Sequence, residues 1–270
     1  MMTAYSTSRQ NGSLAESWRI QRRVVWALFV REILTRYGRH NIGFLWLFVE
    51  PMLFTVGITA LWTATNAVHG SRLPIVAFAL TGYSSVLLWR NMPSRCILAM
   101  EPNLGLLYHR NVRPIDIYFA RLMLEAGGAG ISFVVLTFVF HFAGWAELPE
   151  DTLEVIGAWL MLAWWGMAVA FFIGALSEFS ETVEKLWHPF QYLMLPLSGA
   201  AFLVDALPTQ VQGYAVLLPM VDGVEMLREG YFGSQIVAHY SFGYMAICNA
   251  VLTLLGLAQV RRVSMTLELE

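Results

Sequence analysis

The chain has 270 residues, of which 57% are hydrophobic and 13% charged, far below the roughly 25% charged residues of soluble domains. That balance excludes a soluble globular domain, and a formal net charge of −2 points to no nucleic-acid partner. An integral membrane protein is expected, in which the placement of the charges matters more than their sum.

In chain order, residues 1–42 read as a cytoplasmic N-terminus. The apolar stretch 24–30 is short, follows Arg22 and Arg23, is closed by Arg31 and has no small-residue cleavage site, so no signal peptide is expected. Across residues 14–37, Trp18, Val25, Phe29, Ile33 and Tyr37 share one stripe, with Arg19, Arg22, Arg23 and Arg36 elsewhere. This predicts an amphipathic helix lying in the inner membrane interface, in contact with anionic lipid. The chain then turns at 38–43 and enters lipid.

A bilayer core of about 30 Å needs about 20 apolar helical residues. Six segments are predicted to span: 43–65, 74–92, 119–143, 152–176, 189–204 and 239–260, the fifth being short. Residues 43–260 thus form an all-α transmembrane domain, followed by a tail, 261–270. The connections at 66–73 and 144–151 are brief, whereas 93–118, 177–188 and 205–238 can hold structure of their own. With both termini cytoplasmic, every Arg and Lys except Arg72 and Arg228 falls inside, which fixes the orientation by the positive-inside rule.

Within the spans, Gly166, Ala170 and Gly174 recur every four residues, and Gly127, Gly128 and Gly130 cluster in the third span, so close helix approach is expected. Trp46, Trp62, Trp89, Trp145 and Trp187 lie near span ends as belt residues, whereas mid-span Trp164 and Trp165 are expected to pack on a neighbouring helix. Glu125 lies one turn from Arg121 and is expected to pair with it. Glu50 lies roughly 10 Å into the first span at ~1.5 Å per residue, where it can snorkel or meet Arg90 or Arg95. Phe48, Thr55, Thr59, Trp62 and Asn66 follow helical spacing and form an aromatic and hydroxyl stripe off which Glu50 points. The stripe suits a moving glycan, which needs aromatic faces and exchanging hydrogen bonds; a lipid-buried or dimer-facing stripe is the alternative. Tyr83, Trp89, Tyr192 and Phe202 are further candidates for that path.

No G-x-x-x-x-G-K-[ST] occurs, and the single lysine, Lys185, has no glycine loop before it, so any use of ATP must come from a partner. Cys96 and Cys248 indicate neither a disulfide framework nor a metal site. No cofactor is expected on this chain, and no catalytic residues are proposed.

Four stretches carry a resemblance: "REILTRYGRHNIGFLWLFVEP" at 31–51, "NVRPIDIYFAR" at 111–121, "LPLSGAAFLVDALP" at 195–208 and "LPMVDGVEMLREGYFG" at 218–233. In their order and spacing the chain resembles the permease subunits of ABC exporters for bacterial polysaccharides, most closely the capsular branch. Leu218 departs from the pattern, since such permeases often carry a polar residue there. The resemblance implies an ABC-2 type exporter fold with six transmembrane helices, an N-terminal interface helix and an outer re-entrant hairpin at 205–238. It also implies a homodimer in the bacterial inner membrane, paired with two copies of a separate ATPase that uses ATP and Mg. The cargo would be a lipid-linked polysaccharide, handed to a periplasmic adaptor and an outer-membrane channel.

On this basis Arg31, Arg36, Tyr37 and Arg39 would gate the intake of the glycan. Leu104, Leu107, Tyr108, Arg113 and Asp116, in the loop 93–118, would couple to the ATPase. Asp205, Asp222, Glu225 and Arg228 would lie in the exit hairpin, where Glu225 and Arg228 could pair on one helical turn. Rival readings are a permease for O-antigen or teichoic acid, and a stand-alone carrier or lipid-modifying enzyme.

Overall fold

The structure, a computed structural model, describes residues 14–37, 43–65, 73–108 and 111–267, and among these all regular structure is helical. The helices are α1 (Leu14–Tyr37), α2 (Gly43–Ala64), α3 (Ile75–Cys96), α4 (Leu104–Leu107, led by a 3-10 turn Glu101–Asn103) and α5 (Pro114–Phe142). They continue with α6 (Thr152–Ser177), α7 (Glu181–Leu197), α8 (Thr209–Ala215), α9 (Pro219–Phe232) and α10 (Phe242–Leu267). By length and apolarity, α2, α5, α6 and α10 can each cross a membrane.

Helix α3 fails that test for a physical reason. It carries Thr81, Ser84, Ser85 and Arg90, and its middle lies inside the protein, with Phe78, Leu80, Thr81 and Ser85 each 0% exposed. Its hydroxyls are satisfied locally, Thr81 Oγ1 donating to Ala77 O (2.9 Å) and Ser85 Oγ to Gly82 O (2.6 Å). A helix sheathed by α2, α5, α6 and α9 need not be as apolar as one facing lipid.

The fifth predicted segment, 189–204, is displaced: α7 begins earlier, at Glu181, takes Pro189 and Pro196 inside it, and stops at Leu197. Gly199, at φ +80°, turns the chain away from the helix. Similarly, α3 runs on to Cys96 and α5 starts at Pro114, so the connection between them is shorter than 93–118.

The small residues of α6 do bring α3 close. A Cβ on Gly166 would fall 2.7 Å from Met92 Sδ and 2.9 Å from Trp89 Cα, and one on Gly174 would fall 2.8 Å from Cys96 Cβ. In α5 only Gly128 is used this way, 3.0 Å from Leu47 Cδ1, whereas Gly127 faces open space. Gly174→Ala should therefore cost about 1–3 kcal/mol through overpacking and lower the unfolding temperature in detergent. Gly127→Ala should not lower it, and equal effects of the two would refute the close-approach account.

Trp164, as expected, packs across helices, its Nε1 donating to Thr253 Oγ1 on α10 at 3.0 Å. Helix α9 is buried along nearly its whole length beside α6. Gly223 packs against Leu162 and Gly230 against Val155. Leu162 is ten residues into α6, about 15 Å at 1.5 Å per residue.

Candidate functional site

Helix α1 is fastened to the body by a lattice of charges. Arg36 contacts Glu32 (3.0 Å) on its own helix and Glu125 (2.5 Å) on α5, and Arg95 of α3 reaches the same Glu125 oxygen at 3.1 Å. Arg121 turns from Glu125 to Glu32 at 3.3 Å and donates to the Arg95 carbonyl at 2.8 Å. The expected pair Glu125–Arg121 is thus corrected, because α1 supplies each of them with a partner of opposite charge. Arg95 is engaged by Glu125 and Arg90 lies over the Tyr192 ring at 5.2 Å, so neither meets Glu50, which has no ion pair among the described residues.

Two of the proposed intake residues, Arg31 and Arg36, therefore dock α1. The side chain of Tyr37, and Arg39 altogether, lie outside the described residues. The stripe predicted on α1 also needs correction: Trp18 is 69% exposed while Leu28 and Glu32 are buried. Apolar residues occur on both sides of α1, so one side packs on the protein while Trp18, Trp26 and Leu34 remain open.

Two residues assigned to coupling are built into the fold. Asp116 is 1% exposed; it accepts from the Arg113 backbone amide (2.9 Å) in a capping box that starts α5, and from Gln21 of α1. Leu107 is half-buried against the core, whereas Leu104 and Tyr108, 44% and 90% exposed, project outward.

The sequence reading missed what holds this segment. Leu98, a non-glycine residue, sits at φ +45°. Its amide donates to Ser177 Oγ (3.0 Å), and the Met100 amide donates to Glu178 Oε1 (3.0 Å), both at the end of α6. Asn103 then donates to Ala99 O (2.8 Å) and accepts from Arg31 Nη1 of α1 (2.6 Å). A strained backbone costing about 1–3 kcal/mol persists only where its surroundings over-determine it, and here the ends of α6 and α1 do so. No single-position signal marks Ser177, Glu178 and Asn103 in the sequence.

The predicted path is only partly assembled. Thr55 and Thr59 are 1% and 5% exposed, with Thr55 Oγ1 3.4 Å from Ser84 Oγ and Thr59 Oγ1 donating to Thr55 O at 2.7 Å. Trp62 tilts against Phe78 with centroids 6.1 Å apart, and the Phe48 carbonyl accepts from Ser132. The stripe is thus the α2–α3–α5 seam of the protomer rather than an open lining, because its hydroxyls find partners at home. Asn66 lies outside the described residues. Trp89 is 2% exposed in the core and likewise lines no open path. Half-buried Tyr83 and exposed Tyr192 flank Arg90, and half-buried Phe202 packs on Val204 and Val221.

The segment between α7 and α10 is organised around Arg228, which is 0% exposed. Its Nη1 donates to Gly199 O (2.7 Å) and Phe202 O (2.6 Å), its Nη2 to Ala200 O (2.6 Å), and the guanidinium lies 3.9 Å from the Phe78 ring centroid. The carboxylate of Glu225 lies close enough for the two charges to act on each other. Glu225, also 0% exposed, accepts from the Val204 and His239 amides, both at 3.2 Å. The expected Glu225–Arg228 contact is therefore corrected: each feels the other's charge, but each bonds to the backbone turns that flank α9.

Asp222 is buried, and neither of its carboxylate oxygens has a hydrogen-bond partner among the described residues. Asp205 is exposed and contacts His239 Nε2 at 3.2 Å. Leu218 occupies the N-cap of α9 without a side-chain cap, and Pro219 at the first helical position leaves one fewer free amide at that helix start.

Residues 23–232 match the family described as "ABC-2 type transporter". The chain is 46% identical over 256 residues to the capsule polysaccharide export inner-membrane protein CtrC of Neisseria meningitidis serogroup B, covering 95% of this chain and 97% of that protein. It is 42% identical over 253 residues to the capsule polysaccharide export inner-membrane protein BexB of Haemophilus influenzae, covering 94% and 96%. With the polysialic acid transport protein KpsM of Escherichia coli it shares 28% over 249 residues, covering 90% and 94%.

Proposed function

We propose, from the premise that this chain belongs to the ABC-2 type transporter family, that it is the membrane subunit of an ATP-driven exporter of capsular polysaccharide. The observation that carries the reading furthest is end-to-end likeness to capsule export proteins in a chain whose inner connection is clamped at both ends and presents Leu104 and Tyr108 outward. The chain has no P-loop, so its ATP and Mg would be held by a separate ATPase dimer onto which α4 docks. The subunit acts as a homodimer in the bacterial inner membrane with both termini cytoplasmic. It carries a lipid-linked polysaccharide outward, towards a periplasmic adaptor and an outer-membrane channel.

In this reading the spans number six. Buried α3 and proline-bent α7 complete the set begun by α2, α5, α6 and α10. Helix α9 is the returning limb of an outer re-entrant hairpin. Its support is the packing of Gly223 at the level of Leu162, about halfway along a core of about 30 Å. Backbone at that depth must be buried in protein, as α9 is. Tyr83 and Tyr192, beside Arg90, are the remaining candidates for contact with the moving glycan.

The purified chain should hydrolyse no ATP. Co-expressed with the ATPase of its own export system, it should co-purify with it, and the pair reconstituted in vesicles should move glycolipid in an ATP-dependent manner. Hydrolysis by the rigorously isolated chain, or failure to associate, would refute the assignment.

A further inference from the structure

A cavity of about 510 Å³ opens between α8 and residues 238–244, within the roughly 300–1,000 Å³ of ligand pockets. Val204, Gln212, His239, Tyr240, Ser241 and Tyr244 are among its walls. Its chemistry differs from that of the grooves between α5 and α6 and between α6 and α7. Those are lined almost wholly by aliphatic and aromatic side chains, as surfaces meeting lipid are.

Both tyrosines of the cavity are fixed by their phenols. Tyr244 donates to Leu217 O at 2.8 Å and Tyr240 to Glu154 Oε1 at 3.2 Å, which leaves the rings as rigid apolar surfaces. The Gln212 amide nitrogen is held by Leu207 O at 3.0 Å, which leaves its carbonyl oxygen to accept. Ser241 Oγ accepts from the Tyr244 amide at 3.3 Å and keeps its proton to donate. The walls are also pinned to the core, because Val204 and His239 both give their amides to the one buried carboxylate of Glu225.

We propose that this cavity is a glycan subsite at the outer mouth, taking a hydroxyl-rich, uncharged face of a saccharide. The assignment rests on the polysaccharide-export reading and adds a place where the emerging chain touches the subunit. Fixed tyrosine rings cover sugar C–H surface, while Gln212, Ser241 and the Asp205–His239 pair at the rim exchange hydrogen bonds with hydroxyls. No arginine or lysine lines the cavity and Asp205 stands beside it, so acidic sugar groups would point away.

The test uses the assembled transporter in nanodiscs, with oligosaccharides cut from the producing strain's own surface polysaccharide as the probe, read by saturation-transfer NMR. Gln212→Trp, which fills the cavity, should abolish the signal, and Tyr244→Ala should weaken binding at least fivefold. A second reading leaves the cavity intact: a photo-crosslinking residue in place of Gly213 should yield a carbohydrate-positive adduct in exporting cells, and one in place of exposed Gln210 should not. Unchanged binding in both variants, or no adduct at Gly213 in cells that export normally, overturns the subsite. Absence of polysaccharide export by the unaltered complex would instead overturn the reading beneath it.

Discussion

Arg228→Met should lower the detergent unfolding temperature by about 6–12 °C and deplete the protein from membranes. Three backbone carbonyls, of Gly199, Ala200 and Phe202, have their donors in this one guanidinium. Leaving a buried acceptor without a donor costs about 1–3 kcal/mol, and removing one partner from a buried charged network costs about 3–5 kcal/mol. Glu225 would also lose the cation nearest to it, and Phe78 its cation–π contact.

Lysine keeps the charge but not the planar fork that meets several carbonyls at once. Arg228→Lys should therefore fall between wild type and Arg228→Met. Gly82 belongs to the same arrangement, since a Cβ there would collide with Ala200 O and lie 2.8 Å from Arg228 Nη2. Thermal unfolding and membrane abundance of the two variants decide the matter. An Arg228→Met protein with wild-type stability would mean that the buried guanidinium does not hold the hairpin.

The second large effect concerns transmission. Glu178→Ala should reduce export about tenfold or more while the complex still assembles and hydrolyses ATP, because the segment leading into α4 loses its tie to α6. With that carboxylate gone, the left-handed turn at Leu98 keeps the Ser177 hydroxyl as its one side-chain tie to the end of α6, so displacement of α4 should pass to α6 less faithfully. Glu178→Gln should behave closer to wild type, since a carboxamide oxygen still accepts from the Met100 amide.

Asn103→Ala should uncouple similarly by freeing Arg31, and the double variant should be little worse than either single one, since both act on one network. The measurement is the ratio of glycolipid moved to ATP hydrolysed in proteoliposomes. Parallel loss of hydrolysis and export in both Ala and Gln variants would indicate a role in assembly instead.

Much of this architecture could be read from residue order because lipid imposes a simple demand: long apolar runs become helices, and α2, α5, α6 and α10 lie where the runs are. A helix does lie where the second span was expected, as α3, although its polar middle makes sense only once its neighbours are seen. Helix α7 was misplaced because Pro189 reads as a helix start, yet tertiary contacts tolerate it inside one.

Side-chain partners were the least legible. The spacing of Thr55 and Thr59 put them on one face, but only the position of Ser84 tells that the face is a seam. Glu125 and Arg121 are neighbours by helical period, yet α1, nearly ninety residues away in sequence, takes them both. Glu178 and Asn103 form no motif at all. Their importance arises from a left-handed Leu98 that no propensity scale foresees.

The guanidinium of Arg228 also sets an order on biosynthesis. The carbonyls of residues 199–202 leave the ribosome 26 to 29 residues before the side chain that satisfies them. Until then those acceptors lack the donor that the folded protein gives them. The turn after α7 can therefore reach its final form only once α9 has been made, which makes this part of the fold a late event of synthesis.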